Sequence, residues 1–177
     1  MRIRCDATPM MAPTLMPRTL TVASGRLSIS DASYFYDAPV ILDFPRGTAD
    51  IVVTAEVHAG HRHVVRVVLL ASSPHPRRWT RGALLGKVLV DFAQIGVGDR
   101  VAVASAFDAL GDAGMSLYFE KLQTEDDVFW IELPSGVSML AFRSGFGDGL
   151  YPVFDLVDDA GDRVGVEIDC TASVPDV

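Results

Sequence analysis

The chain has 177 residues, 49% of them apolar, and carries 15 Lys and Arg against 23 Asp and Glu, a formal net charge of −8. That length suits one domain able to bury about 70% of the surface its unfolded chain exposes, and the apolar content excludes disorder of the whole chain. Its apolar runs all stop short of the ~18 residues of a membrane span, and the acidic balance disfavours nucleic acid, whose phosphates need a basic surface.

Residues 1–18 are rich in Met and Pro without sustained periodicity and read as a flexible N-terminal arm. Arg2 and Arg4 open it, but Pro9, Pro13 and Pro17 interrupt any apolar stretch, so it does not read as a secretory signal and a cytoplasmic protein is expected. From Leu20 onward, short β-prone runs alternate with Gly, Pro, Asp and Ser. Leu20–Val22 and Arg26–Ser30 flank the turn Ala23-Ser24-Gly25, and Pro39–Phe44 ends at Pro45. Ala49–Val57 and Arg62–Ala71, joined by His58-Ala59-Gly60-His61, form the strongest hairpin, dense in Val, Ile and Leu as strands buried on both faces are.

A Pro-rich loop over 72–78 follows. Lys87–Phe92 and Arg100–Ala104 read as strands, with Gly96-Val97-Gly98-Asp99 as a break. Residues 106–123 are the best helical candidate, with Gly111 and Gly114 as the places where it would split. Val128–Leu133, Val137–Phe142, Tyr151–Val157 and Arg163–Ile168 complete the pattern, the last two joined by the turn Asp158-Asp159-Ala160-Gly161-Asp162. About ten short strands at this spacing predict a mainly β fold: a single-domain antiparallel β-sandwich or strongly bent sheet with one or two short helices. The domain spans 19–172, leaving a short C-terminal tail over 173–177.

Four histidines fall within 18 residues: His58, His61, His63 and His75. Alternation places His61 and His63 on one face of a strand, a geometry zinc accepts. No acidic or cysteine ligand stands at the right spacing, so neither a metal nor any other cofactor is expected. Cys5 and Cys170 lie near opposite ends and belong to no CxxC pair. Free thiols are expected, with a bridge between the two termini as the alternative. Asp148, Asp155, Asp158, Asp159 and Asp162 offer carboxylates for acid–base work, or simply for turns.

The loop Ser144-Gly145-Phe146-Gly147-Asp148-Gly149 is the most unusual segment. A nucleotide-binding loop would open a helix, whereas here Tyr151-Pro152-Val153-Phe154 reads as a strand. The candidate ligand or partner loop is therefore Ser144, Gly145, Gly147, Asp148, Gly149 and Tyr151, with a tight structural connection as the competing reading. No catalytic set emerges from the spacing.

The stretch SGFGDGLYPVFDLVDDAGDRVGVEID, from Ser144 through Tyr151 and Pro152 to Asp169, resembles the signature of a bacterial family known as domain of unknown function 4241. Weaker similarity runs through Gly25-Arg26-Leu27 with Asp31 and through Phe44-Pro45-Arg46-Gly47. Where the family shows Asp-x-Gly and a following Asp before its middle helix, this chain has Gly98-Asp99-Arg100 and Ser105. The resemblance implies a cytoplasmic β-rich domain and no particular reaction.

Charge is unevenly spread: residues 1–106 hold 12 basic and 8 acidic side chains, residues 107–177 hold 3 and 15. The expected function is a non-enzymatic binding protein, of immunity or antitoxin type, that engages a basic protein partner through its acidic C-terminal half. The alternative is a small-molecule or metal-dependent enzyme with the Ser144–Gly149 loop lining its site. A homodimer burying an exposed β-edge is the third expectation.

Overall fold

A computed structural model describes residues 11–35, 39–58, 60–72 and 78–171. Residues 1–10 with Cys5, residues 36–38, Ala59, the Pro-rich segment over 73–77 with His75, and everything from 172 onward lie outside the described residues. The β-branched runs become strands: β1 (Thr14–Leu15), β2 (Leu20–Val22), β3 (Arg26–Asp31), β4 (Val40–Asp43), β5 (Gly47–His58), β6 (His61–Ala71), β7 (Thr80–Val90) and β8 (Gln94–Asp99). Then come α1 (Arg100–Asp108), α2 (Gly111–Leu122), β9 (Val128–Glu132), β10 (Ser138–Arg143), β11 (Gly149–Val157) and β12 (Arg163–Asp169).

One antiparallel sheet runs β1-β5-β6-β12-β11-β7, with β2 also paired to β5, and the other runs β4-β3-β8-β10-β9. They pack as a sandwich, in agreement with the mainly β expectation. The β5–β6 hairpin pairs from Ala49↔Ala71 to His58↔His61, with a register shift between Thr54 and Ala55, and Val67 to Ala71 are buried throughout. Within the segment read as an arm, Thr14 and Leu15 pair with Val53 and Val52.

The main interior lies between the sheets, where Ile51, Val53, Val67, Leu69 and Ile168 face Ile29, Ile95, Val97, Leu140 and Phe142. Each such side chain contributes about 1.5–3 kcal/mol by leaving water. A second interior forms where α1 and α2 cover the outer face of the smaller sheet, using Val103, Phe107, Tyr118, Leu122, Met139 and Ala141. Strand β10 therefore serves both interiors: Leu140 and Phe142 face one, Met139 and Ala141 the other.

Two expectations are corrected. Arg100–Ala104 is not a strand but the start of α1. Asp99 caps it, its Oδ1 accepting from Val101 N at 3.0 Å and Ala102 N at 2.9 Å. Burial then follows helical spacing through Val103, Ala106 and Phe107, while Val101 stays 56% exposed. Nor is 96–99 a break: it is the buried C-terminal part of β8, paired with β3 and β10. Gly96 and Gly98 face the helical layer, where a Cβ would stand 2.9 Å from the Phe35 ring and 2.6 Å from Val103 Cγ2. Those glycines permit close packing and mark no turn. The helical region does divide at Gly111, where φ is +59°, but Gly114 lies inside α2.

The turn over 23–25 crosses between the two sheets, from the larger to the smaller, and its Ser24 N–H is held by Asp99 Oδ2 at 2.7 Å. Among the described residues, no helix is long and apolar enough to cross a membrane.

Candidate functional site

Residues 144–148 carry the chain from β10 in the smaller sheet to β11 in the larger. Ser144 N–H donates to Ala93 O at 2.9 Å, and Gly147 N–H closes a tight turn onto Ser144 O at 2.8 Å. Gly147 sits at φ +86°, which side chains other than glycine rarely adopt. Gly145 has a different reason to be glycine: a Cβ there would lie 2.5 Å from Val64 O and 2.9 Å from His63 Cβ. The loop rests flush on β6, with Gly145 N–H donating to Val64 O at 3.1 Å. Gly149 opens β11 opposite Val90.

The polar side chains of this segment are engaged within it. Ser144 is 2% exposed, and its hydroxyl donates to Gly147 O at 2.6 Å. The Tyr151 hydroxyl, on a fully buried ring, donates to the same carbonyl at 2.6 Å, filling both of its acceptor positions. Burial pushes the Tyr151 phenol above its ordinary pKa. A nucleophilic serine needs a base within hydrogen-bond reach, but here the nearest histidine is directed elsewhere: His63 Nδ1 donates to Gly145 O at 2.5 Å. Its ring also stacks on Phe146, with centroids 5.9 Å apart.

Asp148 is exposed, yet its Oδ1 accepts from Ala93 N–H at 3.0 Å. That bond belongs to a larger arrangement which sequence reasoning missed. The neighbouring crossover from β7 to β8 presents three successive amides. Asp91 N–H and Phe92 N–H both donate to Asp31 Oδ2, at 2.7 and 3.1 Å, and Ala93 N–H to Asp148. Ala93 takes φ +54°, and Asp31 Oδ1 accepts from Ser33 N–H at 2.7 Å. Two carboxylates distant in sequence thus clamp one inter-sheet turn. The sequence signals for Asp31 are an acid at the end of the short alternating run Leu27-Ser28-Ile29-Ser30 and its place in the weaker family similarity.

The remaining candidates divide similarly. Arg163 holds Asp155 through two bonds of 2.6 and 3.2 Å, and Asp158 Oδ1 accepts from the Ala160 and Asp162 amides within its turn. Arg81 bridges buried Glu167 and Asp169 on the outer face of the larger sheet. His61 and His63 share a face of β6, and the described residues contain no group of three His, Cys, Asp or Glu side chains placed to hold a metal ion. Cys170 is a free thiol inside the main interior, where burial raises its pKa strongly.

Helix α2 exposes large apolar groups. Only Tyr118 and Leu122 are buried, while Leu117 is 62% and Phe119 43% exposed. A groove of about 410 Å³ runs between α2 and β9, lined by Leu110, Leu117, Tyr118, Ile131 and Pro134. A second, of about 300 Å³, lies at the end of α2 among Tyr34, Phe92, Phe119 and Leu122. Exposed Asp108, Asp112, Glu120, Glu125 and Asp126 stand along the same stretch of chain, with Lys121 as the one basic residue of the helix. Comparison of the chain with protein-family models, with curated proteins and with solved structures finds no match.

Proposed function

We propose that this is a non-enzymatic binding protein that engages a basic protein partner through its acidic C-terminal half, with α2 at the centre of the contact. The observation that carries the reading is the surface of α2, where exposed Leu117 and Phe119 stand between two apolar grooves within an acidic segment. Apolar surface rimmed by one sign of charge is how specific interfaces combine burial energy with steering of an oppositely charged partner. An immunity or antitoxin role fits such a surface. The resemblance of the Ser144–Pro152 segment to a bacterial cytoplasmic family supports placing the protein in the cytoplasm.

The glycine loop supports the same reading from the other side. Ser144, Tyr151 and Asp148 hold the loop and the adjoining turn together, which favours a structural role for the loop over one lining an enzyme site. The test is affinity capture from the source cell at low and high ionic strength, with the wild-type protein and a Glu120→Lys/Glu125→Lys/Asp126→Lys variant. A basic protein retained by the wild type at low salt and lost by the variant supports the proposal. Equal capture by both proteins overturns it.

A further inference from the structure

We propose that the polar pocket between β6 and the crossover from β10 to β11 binds a small oxyanion, a phosphate or a carboxylate. The pocket encloses about 220 Å³, and Arg62, His63, Asp127, Arg143 and the Gly145 backbone line it. Water occupies about 30 Å³ in the liquid, so this space takes an anion of a few heavy atoms with part of its hydration shell.

The charge balance within the pocket is what points to an anion. Arg62 and Arg143 face a single carboxylate, that of Asp127. Arg62 Nε stands 3.8 Å from Asp127 Oδ2, inside the range of Coulomb attraction but beyond a hydrogen bond. Arg143 has no carboxylate partner among the described residues. Its Nη2 donates to the Thr124 carbonyl at 2.5 Å, and its Nε is buried with no acceptor at all. A half-buried guanidinium satisfied by one neutral carbonyl has given up water without gaining a counter-charge, an arrangement proteins rarely leave uncompensated. An oxyanion supplies what is missing, since its paired oxygens match the guanidinium fork.

The walls are held in place before any ligand arrives. Arg143 N–H is fixed on Asp127 O at 2.8 Å and Gly145 N–H on Val64 O at 3.1 Å. The His63 ring is held between its bond to Gly145 O and its stack on Phe146. Arg62, its side chain 46% exposed, has room to turn toward a ligand. The argument for this site does not rest on the partner proposed for α2, although Thr124 and Asp127 adjoin Glu125 and Asp126 of that surface.

The experiment is calorimetric titration of the purified full chain with inorganic phosphate and, separately, acetate, at constant ionic strength in chloride. One-to-one saturable binding of at least one anion is expected. Arg62→Gln and Arg143→Gln should each weaken it about tenfold, the worth of one charge-assisted hydrogen bond, and Asp127→Asn should strengthen it. Phosphate alone assigns a phosphoryl ligand, acetate alone a carboxylate, and either supports the site. If Arg143→Gln does not fold, as judged by circular dichroism, Arg62→Gln and Asp127→Asn decide. Absence of saturable binding to both anions, or unchanged affinity in a folded Arg62→Gln or Arg143→Gln protein, overturns the proposal.

Discussion

Gly145 and Gly147 stand two residues apart in one loop, and the structure gives them opposite reasons to be glycine. Gly145 has ordinary backbone angles and no room: a Cβ would approach Val64 O to 2.5 Å and His63 Cβ to 2.9 Å. Neither neighbour is the end of a flexible side chain, so Gly145→Ala must lift the loop from β6. That movement strains or breaks the Gly145 N–H bond to Val64 O and the His63 bond to Gly145 O. With overpacking at about 1–3 kcal/mol and about 1 kcal/mol for the two weakened bonds together, the substitution costs roughly 2–4 kcal/mol. Gly147 has open space and φ +86°, so Gly147→Ala costs only the backbone penalty of about 1–2 kcal/mol. Asparagine separates the two causes, because it tolerates positive φ but occupies more volume than alanine. Gly147→Asn should recover part of the loss seen with Gly147→Ala, whereas Gly145→Asn should be no better than Gly145→Ala. Equilibrium urea unfolding followed by tryptophan fluorescence measures all four variants. Thermal midpoints should fall by about 5–15 °C for Gly145→Ala, at roughly 2–4 °C per kcal/mol for a domain of this size. A Gly145→Ala protein as stable as wild type, or a Gly145→Asn protein more stable than Gly145→Ala, would refute the close-approach argument.

Asp31→Ala should destabilise by roughly 3 kcal/mol or more, because it strips the acceptor from three amides in and beside the inter-sheet turn; Asp148→Asn, which keeps an acceptor oxygen for its single amide, should cost under about 1 kcal/mol in the same urea assay. Stability should fall as pH drops below the ordinary carboxylate range. Burial raises the Asp169 pKa, but bonds from Thr171 and Arg81 outweigh it and hold the carboxyl below its usual value; a depressed pKa stabilises the fold above the unfolded value and is lost on protonation. Urea midpoints across an acid pH series test this, and an Asp169→Asn protein with an unchanged acid slope would remove Asp169 from the explanation. In a Cys5→Ser background, Cys170 should react with a thiol reagent only as fast as the protein opens, since burial suppresses its thiolate; rapid labelling in native buffer would contradict the packing of the main interior.

The β5–β6 and β11–β12 hairpins were legible in the chain because their evidence is local: dense β-branched runs on either side of turn-forming residues. The division of the helical region at Gly111 was legible for the same reason, as was the acidic bias around α2. Residues 96–104 were misread because their signals are ambiguous without the fold. Val101 and Val103 alternate as a strand would, and only packing against β8 and β10 shows that Val103 is inside and Val101 outside. Gly96 and Gly98 look like turn residues, yet they are where a strand gives way to Phe35 and Val103. The status of the glycine loop depended on tertiary structure in the same way. Its own residues determine a tight bend, but whether Asp148 faces a ligand or an amide depends on Ala93, 55 positions away. Asp31 acquires its partners at Asp91 and Phe92 by the same kind of long-range approach. Local propensity sets the φ and ψ of a short segment; which donor a carboxylate meets is set by sheet order, and sheet order arises only when both interiors close at once.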